Sequence, residues 1–339
     1  MDYVENLKNE MIEKGLSNNY IHKCTSYAEK IYNNNLPVIF DSRHMSKLMG
    51  VKHSVLSYYI FNSNLFYSEF TIMKKSGQNR TILAPSLNLK KIQRWILDNI
   101  LISFPVSKYA TGFKKKTSIV DNAKLHVNKT LVYSIDIEDF FPSITAKNVY
   151  FLFYNVGYSS GISYALTKLL TYSGILPQGS PCSPAISNIL CRKMDESIGD
   201  IAYQIAGDYS RYADDMTISV NDVSALLSKV STIKKVIEYH GFRLNNKKER
   251  MQYNNQTQQV TGLIVNNDVK VRLAYKKDVE KHIYFCEKFG IYSHLEKIGM
   301  KDKSFFKEYL FGKVYFINSV EPEVARAFLD RLNKLNWAY

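Results

Sequence analysis

The amino-acid sequence predicts an α+β fold, with helices packed on one face of a sheet. Short β-branched and aromatic runs are interleaved with longer stretches of helical periodicity, and one pair of strands is joined directly by a hairpin pattern. The 339 residues include 45% hydrophobic and 13% aromatic residues, which suffices for a sizeable core. A chain of this length is too long for one minimal core, so we expect two or three packed subdomains. No internal repeat or long Pro-, Gly- or Ser-rich linker is evident, so their boundaries are inferred from changes in periodicity.

The first predicted elements are helices followed by a hairpin. Apolar residues recur at helical spacing in YVENLKNEMIEKGL and HMSKLMGVKHSVLSYYIF, which predicts a helical N-terminal extension over residues 1–62. The segment FYSEFTIMKKSGQNRTILAP alternates on both sides of a polar connection containing Gly77, a pattern typical of a β-hairpin. Ser86 then occupies the expected N-cap position of a further helix.

Strands and helices then alternate until the chain becomes helical again. In chain order we expect a buried strand LVYSIDI from Leu131, helices over about 145–172 and after Pro184, two short strands around Asp214 and Asp215, a helix near 223–240, one strand QQVTGLIV, and helices from about residue 274 onward. The last of these segments is rich in Tyr, Phe and Lys.

Charge and cysteine content restrict the partners and the compartment. The chain has 45 Lys and Arg against 31 Asp and Glu, a net charge of +14 that favours a polyanionic partner such as nucleic acid. Four scattered cysteines argue against a zinc site or a disulfide framework and favour a reducing compartment. The N-terminus lacks an apolar signal region, and no stretch approaches the roughly 20 apolar residues of a membrane span. We therefore expect a cytoplasmic protein without a membrane partner.

Two adjacent carboxylates, Asp214 and Asp215, interrupt the strand-like segment RYADDMTISV. Like charges repel and Asp is a poor strand former, so the pair needs an explanation. One is an acidic β-turn, since Asp tolerates turn dihedral angles. The other requires a partner, and LVYSIDIEDFFPSI supplies one, because its apolar run ends in Asp136; acids there could also cap a helix or loop.

If the two strands are neighbours, the three carboxylates meet at one edge of a sheet. They could not crowd together fully ionised without a cation. Hard oxygen ligands select Mg²⁺, and two ions about 3.5 to 4 Å apart stabilise the attacking and leaving oxygens of an in-line phosphoryl displacement. We therefore expect Asp136, Asp214 and Asp215 to bind two Mg²⁺, with the backbone carbonyl of Ile137 as an additional ligand.

These motifs together resemble those of a reverse transcriptase. YADD resembles the family's metal-binding hairpin, DIEDFFPSI its first catalytic strand and loop, and LPQGSPCSPAISN its nucleotide-and-template loop, all in the family's order. The resemblance implies an RNA-directed DNA polymerase with the right-hand fold of fingers, palm and small helical thumb. The implied domains are the N-terminal extension 1–62, the fingers 63–130, the palm 131–268 with fingers helices at about 145–172, and the thumb 269–339.

The resemblance also assigns residues to the nucleotide. Arg80 would meet the triphosphate together with Lys74 and Lys75, and a solvated basic turn is the alternative. Phe141 would exclude a ribose 2′-hydroxyl, although Phe140 and Phe141 could both belong to the core.

Two further segments resemble family motifs that approach the nucleotide. Gln178 and Gly179 would line the nascent base pair, and glycine gives the backbone freedom for close approach to it. Lys248 would lie near the pyrophosphate leaving group. Glu249 stands where the family often has Thr, which puts the role of Lys248 in question.

Two short motifs resemble the signatures of bacterial retron reverse transcriptases. NAKLH matches NAxxH, and VTG, formed by Val260, Thr261 and Gly262, matches the second signature. Helical spacing puts Asn122 and His126 on one face, where they could contact RNA or make a structural hydrogen bond. Their places around the polymerase core favour a retron enzyme over the intron-type relatives.

A retron enzyme would use dNTPs to copy part of its own structured non-coding RNA, of the msr-msd type, from the 2′-hydroxyl of an internal guanosine. The product would be a branched RNA-linked DNA, or msDNA. The resemblance implies anti-phage defence with an effector protein, and the length implies template removal by host RNase H. An intron-type or abortive-infection-type reverse transcriptase is one alternative. A non-catalytic RNA-binding protein on a polymerase scaffold is another, against which the acidic triad argues.

Overall fold

The computed structural model describes residues 3–73, 77, 79–299 and 305–337. Its helices are α1 Tyr3–Glu13, α2 Asn18–Tyr32, α3 Ser42–Leu48, α4 His53–Phe61, α5 Leu87–Asn99, α6 Ile119–Lys124, α7 Phe140–Ser143, α8 Ala146–Asn155, α9 Ser160–Leu170, α10 Ser183–Leu190, α11 Arg192–Gln204, α12 Val223–Tyr239, α13 Leu273–Phe289, α14 Ile291–Lys297, α15 Phe306–Asn318 and α16 Pro322–Asn333. Its strands are β1 Tyr67–Met73, β2 Asn79–Pro85, β3 Leu131–Asp136, β4 Asp208–Tyr212, β5 Asp215–Val220, β6 Arg250–Tyr253, β7 Gln259–Val260 and β8 Leu263–Ile264.

The chain divides into two compact units, each built from three segments. The first comprises residues 1–114, 137–198 and 232–245. It contains helices α1 to α5 and the antiparallel hairpin of β1 and β2. The predicted N-terminal helices and the predicted hairpin are therefore confirmed. Ser86 stands at the N-cap of α5 as predicted, but its buried hydroxyl makes no capping hydrogen bond.

The second unit comprises residues 115–136, 199–231 and 246–339 and contains an antiparallel sheet in the order β4-β5-β3-β6. Strand β3 lies between β5 and β6, and all of its residues but the last are buried. Side chains alternate between the two faces of a strand, so the register assigns each residue to a face. The face that carries Asp136 and Asp215 also carries small polar side chains, among them Ser134 and Thr217, whereas the opposite face is largely apolar.

The C-terminal helices of this unit share a hydrophobic core with the short hairpin of β7 and β8. Leu310 and Ile317 of α15 are fully buried in the same cluster as Val260 and Leu263 of the hairpin. Val132 of β3 also belongs to this cluster, so the core extends to the central strand of the sheet.

The α+β class and its antiparallel sheets are confirmed, while the fingers, palm and thumb boundaries stay predictions. The prediction of one strand in QQVTGLIV is wrong, because the chain reverses at Thr261 and Gly262 and forms β7 and β8 instead. Helix α11 and strand β6 have no counterpart among the predicted elements. No helix in the described part of the chain is long and apolar enough to cross a membrane.

Candidate active site

The acidic pair lies at the turn between β4 and β5. Tyr212 pairs with Asp215, so the turn consists of Ala213 and Asp214 alone. Ala213 has φ 59°, and the turn types that suit two-residue hairpins require a positive φ at this first position. The sequence interpretation assigned the special turn conformation to Asp, whereas the structure assigns it to Ala213 and makes Asp215 the first residue of β5.

A buried arginine holds this turn in place. The Arg211 side chain is fully buried, and its Nη1 donates to the carbonyl oxygen of Ala213 at 3.0 Å. Sequence analysis did not single out Arg211. A charged residue next to a catalytic motif is expected at the surface, and the sequence carries no signal that it lies in the interior.

The first and second acidic motifs meet as the sequence predicts. Asp136, the last residue of β3, is the register partner of Asp215, the first residue of β5. Residues directly opposite in an antiparallel pair have Cβ atoms about 4.5 to 5.5 Å apart, so both carboxylates project from one face at the same end of the sheet. Asp214 follows within the adjacent turn.

Burial and like charge together disfavour ionisation of Asp215. Burial contributes most and the neighbouring Asp214 next, raising the pKa of Asp215 from 3.8 to about 6. Arg250 opposes this effect, Asp136 adds to it, and Lys248 opposes it. The ionised form of Asp215 is therefore unfavourable in this position, and a bound cation would favour it.

Lys248 compensates part of this charge. Its Nζ lies 2.7 Å from Oδ2 of Asp136, and the lysine side chain is 53% exposed. Its neighbour Glu249 points to the opposite face of the sheet, where it accepts a hydrogen bond of 2.7 Å from the Tyr133 hydroxyl. Glu249 thus bonds to strand β3, while Lys248 reaches Asp136 at the acidic end of the sheet.

The donor set fits a divalent cation, although the ligand sphere is not formed in this conformation. Asp136, Asp214 and Asp215 offer only carboxylate oxygens, which hard divalent ions prefer. Within the described residues, no three His, Cys, Asp or Glu side chains are close enough to hold a metal ion together. Ile137 is buried and forms an antiparallel bridge with Leu244, and its role as a carbonyl ligand stays a prediction.

The predicted nucleotide loop lies in the first unit, fastened to strand β2. The backbone N–H of Leu83 donates to the Gln178 carbonyl at 2.8 Å. Gly179 has φ 139°, and a Cβ on it would lie 2.5 Å from the Leu83 carbonyl oxygen. Sequence analysis attributed this glycine to close approach of a base pair, whereas the structure shows close approach of the β2 backbone. Arg80 is exposed on the same strand, and Lys74 and Lys75 lie outside the described residues.

The two phenylalanines after Asp136 have different environments. Phe140 is buried and packs against Phe242, with ring centroids 5.9 Å apart. Phe141 is half-buried and contacts Phe113, with ring centroids 6.1 Å apart. Phe140 therefore belongs to the core, and Phe141 is the one with an accessible surface.

The NAKLH residues are interior rather than exposed. His126 is fully buried, and its Nδ1 and Nε2 lie 2.7 Å from Ser219 Oγ and 2.8 Å from Ser210 Oγ. These serines belong to β5 and β4, the two strands of the acidic hairpin. Asn122 is also buried. His126 therefore makes structural hydrogen bonds. Because His126 and Asn122 are both buried, direct contact with RNA by either side chain does not fit the structure.

The VTG residues form the tight turn between β7 and β8. Thr261 has φ 49° and Gly262 φ 85°, so both central residues are left-handed, as a type I′ turn requires. Val260 is buried in the core that includes the C-terminal helices. The Thr261 hydroxyl lies 3.3 Å from the carbonyl oxygen of Ile119, the first residue of α6. The second signature therefore contacts the helix that carries Asn122 of the first.

Comparison with known proteins identifies the family. The profile of the reverse transcriptase (RNA-dependent DNA polymerase) family matches residues 72–266. The retron Ec86 reverse transcriptase of Escherichia coli is 33% identical over 316 residues, covering 91% of this chain and 94% of the relative. The retron Mx162 reverse transcriptase of Myxococcus xanthus is 32% identical over 345 residues, covering 91% of this chain and 69% of the relative. The chain belongs to the bacterial retron reverse transcriptases.

This retron reverse transcriptase is therefore an RNA-directed DNA polymerase that uses an RNA template and dNTPs. The family match, residues 72–266, contains every predicted site residue from Arg80 to Gly262. Enzymes of the family use divalent metal ions, in agreement with the carboxylate donors at the sheet end. The non-catalytic alternative is not supported.

The buried position of His126 leads to a stability prediction. Burial lowers the pKa of His126 from 6.5 to about 4, an effect that Asp208 opposes and Lys129 reinforces. Between pH 4 and 6.5 the unfolded chain binds more protons, so this residue's contribution to stability is lost as the pH falls through that range. We expect His126→Leu to lower the free energy of unfolding at pH 7 by about 2 to 4 kcal/mol, since it leaves two buried hydroxyls unpaired.

Urea denaturation measures this effect, with His22→Leu on the exposed side of α2 as the matched control. RNA affinity per folded molecule should stay unchanged in both variants. A His126→Leu protein as stable as wild type but defective in RNA binding would contradict the structural role.

Proposed function

We propose that this enzyme copies part of its cognate structured non-coding RNA, of the msr-msd type, into DNA. Synthesis starts from the 2′-hydroxyl of an internal guanosine and gives a branched, RNA-linked msDNA. The polymerase reaction is supported above all by one observation: Asp136 pairs in register with Asp215, and Asp214 lies in the adjoining turn. The names of the retron relatives support the class of template.

In this proposal the three aspartates bind two Mg²⁺, with the Ile137 carbonyl as a further ligand. When bound, such ions stabilise the attacking and leaving oxygens of a phosphoryl transfer. The all-oxygen donor set supports the choice of Mg²⁺. The raised pKa of Asp215, which results first from burial and then from Asp214, supports the need for added positive charge.

Lys248 is proposed to change partners during the reaction cycle. Its ammonium neutralises Asp136 in the present structure, and half of its side chain is exposed. When Asp136 binds a cation, Lys248 no longer needs to compensate that carboxylate, and it can turn toward the pyrophosphate leaving group. A single-bond contact from a flexible lysine, rather than a two-pronged arginine contact, suits such an exchange.

The nucleotide is proposed to lie against residues of the first unit. Arg80 meets its phosphates, Gln178 and Gly179 line the nascent pair, and Phe141 excludes a ribose 2′-hydroxyl. The exposure of Arg80 and the accessible surface of Phe141 support these roles. The signature residues Asn122, His126, Val260, Thr261 and Gly262 contribute to RNA binding only indirectly, by supporting the sheet and its neighbouring hairpin.

The cellular context is also part of the proposal. The enzyme works in the cytoplasm in anti-phage defence together with an effector protein, and host RNase H removes the copied template. The net charge of +14 supports a nucleic-acid partner.

The test is to purify the enzyme from its native locus and sequence the nucleic acid bound to it. We expect a DNA joined to RNA through a 2′–5′ branch, which treatment with a debranching enzyme separates. Protein carrying Asp214→Asn and Asp215→Asn should bind the RNA without DNA. Linear cDNA in an active enzyme would contradict branched priming and would favour the intron-type alternative.

Phe141→Ala should relax selection against ribonucleotides. The smaller side chain leaves room for a 2′-hydroxyl, so we expect the ratio of dNTP to rNTP incorporation efficiency to fall by about tenfold or more, the effect of a lost steric contact of about 1 to 3 kcal/mol. The measurement is single-nucleotide incorporation with matched dNTP and rNTP. Tyr154→Ala, at an exposed aromatic residue on α8, serves as the control, and an unchanged ratio in Phe141→Ala would contradict the gate.

A further inference from the structure

A fully buried glutamine on α5 links three segments of the first unit. The Nε2 of Gln93 donates to the Tyr67 hydroxyl at 2.8 Å and to the Leu169 carbonyl at 2.9 Å. Its Oε1 accepts from Ser180 Oγ at 3.1 Å. Tyr67 begins β1, Leu169 lies near the end of α9, and Ser180 follows Gln178 and Gly179 in the nucleotide loop.

The surroundings fix the orientation of this amide. The Leu169 carbonyl can only accept, so it must face the NH₂ group, and the oxygen of the amide must then face Ser180. The two amide hydrogens and one oxygen lone pair are thereby used in a site without solvent access. Another side chain would leave Tyr67, Leu169 or Ser180 without this partner, which is costly in the interior.

The backbone of Gln93 fastens the same loop at a second point. The Cys182 thiol donates to the Gln93 carbonyl at 2.9 Å, and burial raises the pKa of that thiol, so it keeps its proton. A third attachment is the bond from Leu83 N–H to the Gln178 carbonyl, on the strand that carries Arg80. The loop is thus held at residues 178, 180 and 182, and two of the three attachments are to Gln93.

We propose that Gln93 is a positioning residue for nucleotide selection. It fixes the path of the loop that carries Gln178 and Gly179 relative to the base of the hairpin that carries Arg80. The inference rests on the proposed nucleotide role of that loop. A displacement of about 1 Å in a substrate-positioning group is enough to lower kcat/KM strongly, so a link of this kind acts on substrate binding as well as on folding.

The test separates positioning from stability. Gln93→Met keeps the length of the side chain and removes all three hydrogen bonds, whereas Ser180→Ala removes the bond to Gln93 together with the local bond from Cys182 N–H to Ser180 Oγ at 3.2 Å. Gln204→Met, the same substitution at an exposed position on α11, is the matched control. For each full-length variant, KM for dNTP, kcat and the melting temperature are measured on an RNA template with a DNA primer.

We expect Gln93→Met and Ser180→Ala each to raise KM for dNTP by about five- to tenfold, the effect of losing the bond between Gln93 and Ser180 that both variants lack, with a smaller change in kcat. The double variant should raise KM by less than the product of the two single effects, because both substitutions remove the same bond between Gln93 and Ser180. A lowered melting temperature with unchanged KM in Ser180→Ala would overturn the positioning role and leave Gln93 a structural residue.

Gln178→Ala distinguishes this failure from failure of the proposed function. If Gln178→Ala raises KM while the Gln93 and Ser180 variants do not, only the positioning role is wrong. If Gln178→Ala also leaves KM unchanged, the loop does not bind the nucleotide, and both proposals are overturned.

Discussion

Asp215→Asn is expected to abolish DNA synthesis and at the same time to stabilise the metal-free enzyme at neutral pH. If Asp215 is a ligand to the cations, as proposed, its loss should reduce incorporation at least about a thousandfold, because several kcal/mol of transition-state stabilisation are lost. The stability gain follows from the raised pKa of Asp215, about 6 instead of 3.8, which burial causes first and Asp214 second. An ionised carboxylate in that position opposes folding.

The sign of the pH dependence follows from proton binding. Between pH 3.8 and about 6 the folded protein binds more protons at Asp215 than the unfolded chain does, so this residue lowers stability as the pH rises. The full effect above pH 6 is about 3 kcal/mol. His126 raises stability as the pH rises over nearly the same pH range. The pH dependence of wild-type stability alone therefore cannot separate the two residues. The measured quantity must be the difference between Asp215→Asn and wild type.

Urea denaturation at pH 4 to 8 in EDTA provides that difference, with Asp330→Asn at an exposed position of α16 as the control. We expect the variant to gain stability relative to wild type from pH 4 to 6 and then to level off. Added Mg²⁺ should stabilise wild type more than the variant. Retained synthesis in Asp215→Asn would contradict the metal site, and lower stability than wild type at pH 7 would contradict the electrostatic origin.

Gly179→Ala is expected to cause the largest loss of activity among substitutions in the first unit. The new methyl group would lie 2.5 Å from the Leu83 carbonyl oxygen, which belongs to the backbone and cannot move aside like a flexible side chain. The φ of 139° adds strain for any L-residue. The loop must separate from β2, which breaks the hydrogen bond between Leu83 and Gln178. We expect the free energy of unfolding to fall by about 2 kcal/mol or more.

Gly174→Ala is the matched control, because Gly174 has φ 85° but a methyl group added to it would meet no heavy atom within 4 Å. The free energy of unfolding of this variant should fall by only about 1 kcal/mol, because alanine is strained in the left-handed conformation. Melting temperature and dNTP incorporation measure both effects. Equal behaviour of the two variants would mean that backbone conformation, not contact with β2, explains Gly179.

The pairing of Asp136 with Asp215 could be expected from the sequence because the signal of each segment is local. The strand that ends in Asp136 and the hairpin with two acids are each visible in the sequence, and the resemblance to reverse transcriptases favoured one shared site over a plain turn and a cap. Contacts between distant segments could not be found in this way. The bond between Lys248 and Asp136, the approach of β2 to Gly179 and the burial of Arg211 all depend on which strands become neighbours.

The error in QQVTGLIV has a different origin. Two residues, the second of them Gly, between two short β-rich runs are a known hairpin signal, so the turn at Thr261 and Gly262 was present in the sequence. The apolar run was interpreted as one strand instead. Gln93 had no such signal, since a glutamine in an amphipathic helix is ordinarily solvated.

The contact between Thr261 and Ile119 limits how the two retron signatures can be exchanged between relatives. Helix α6 receives a hydrogen bond from the β7–β8 turn, and Asn128 N–H donates to the Val265 carbonyl at 3.2 Å a few residues further on. A chimera that takes NAKLH from one enzyme and VTG from another would combine two segments whose contacting residues come from different proteins. Exchanges of either signature between relatives should therefore replace residues 118–128 and 259–265 together if the folded structure is to be kept.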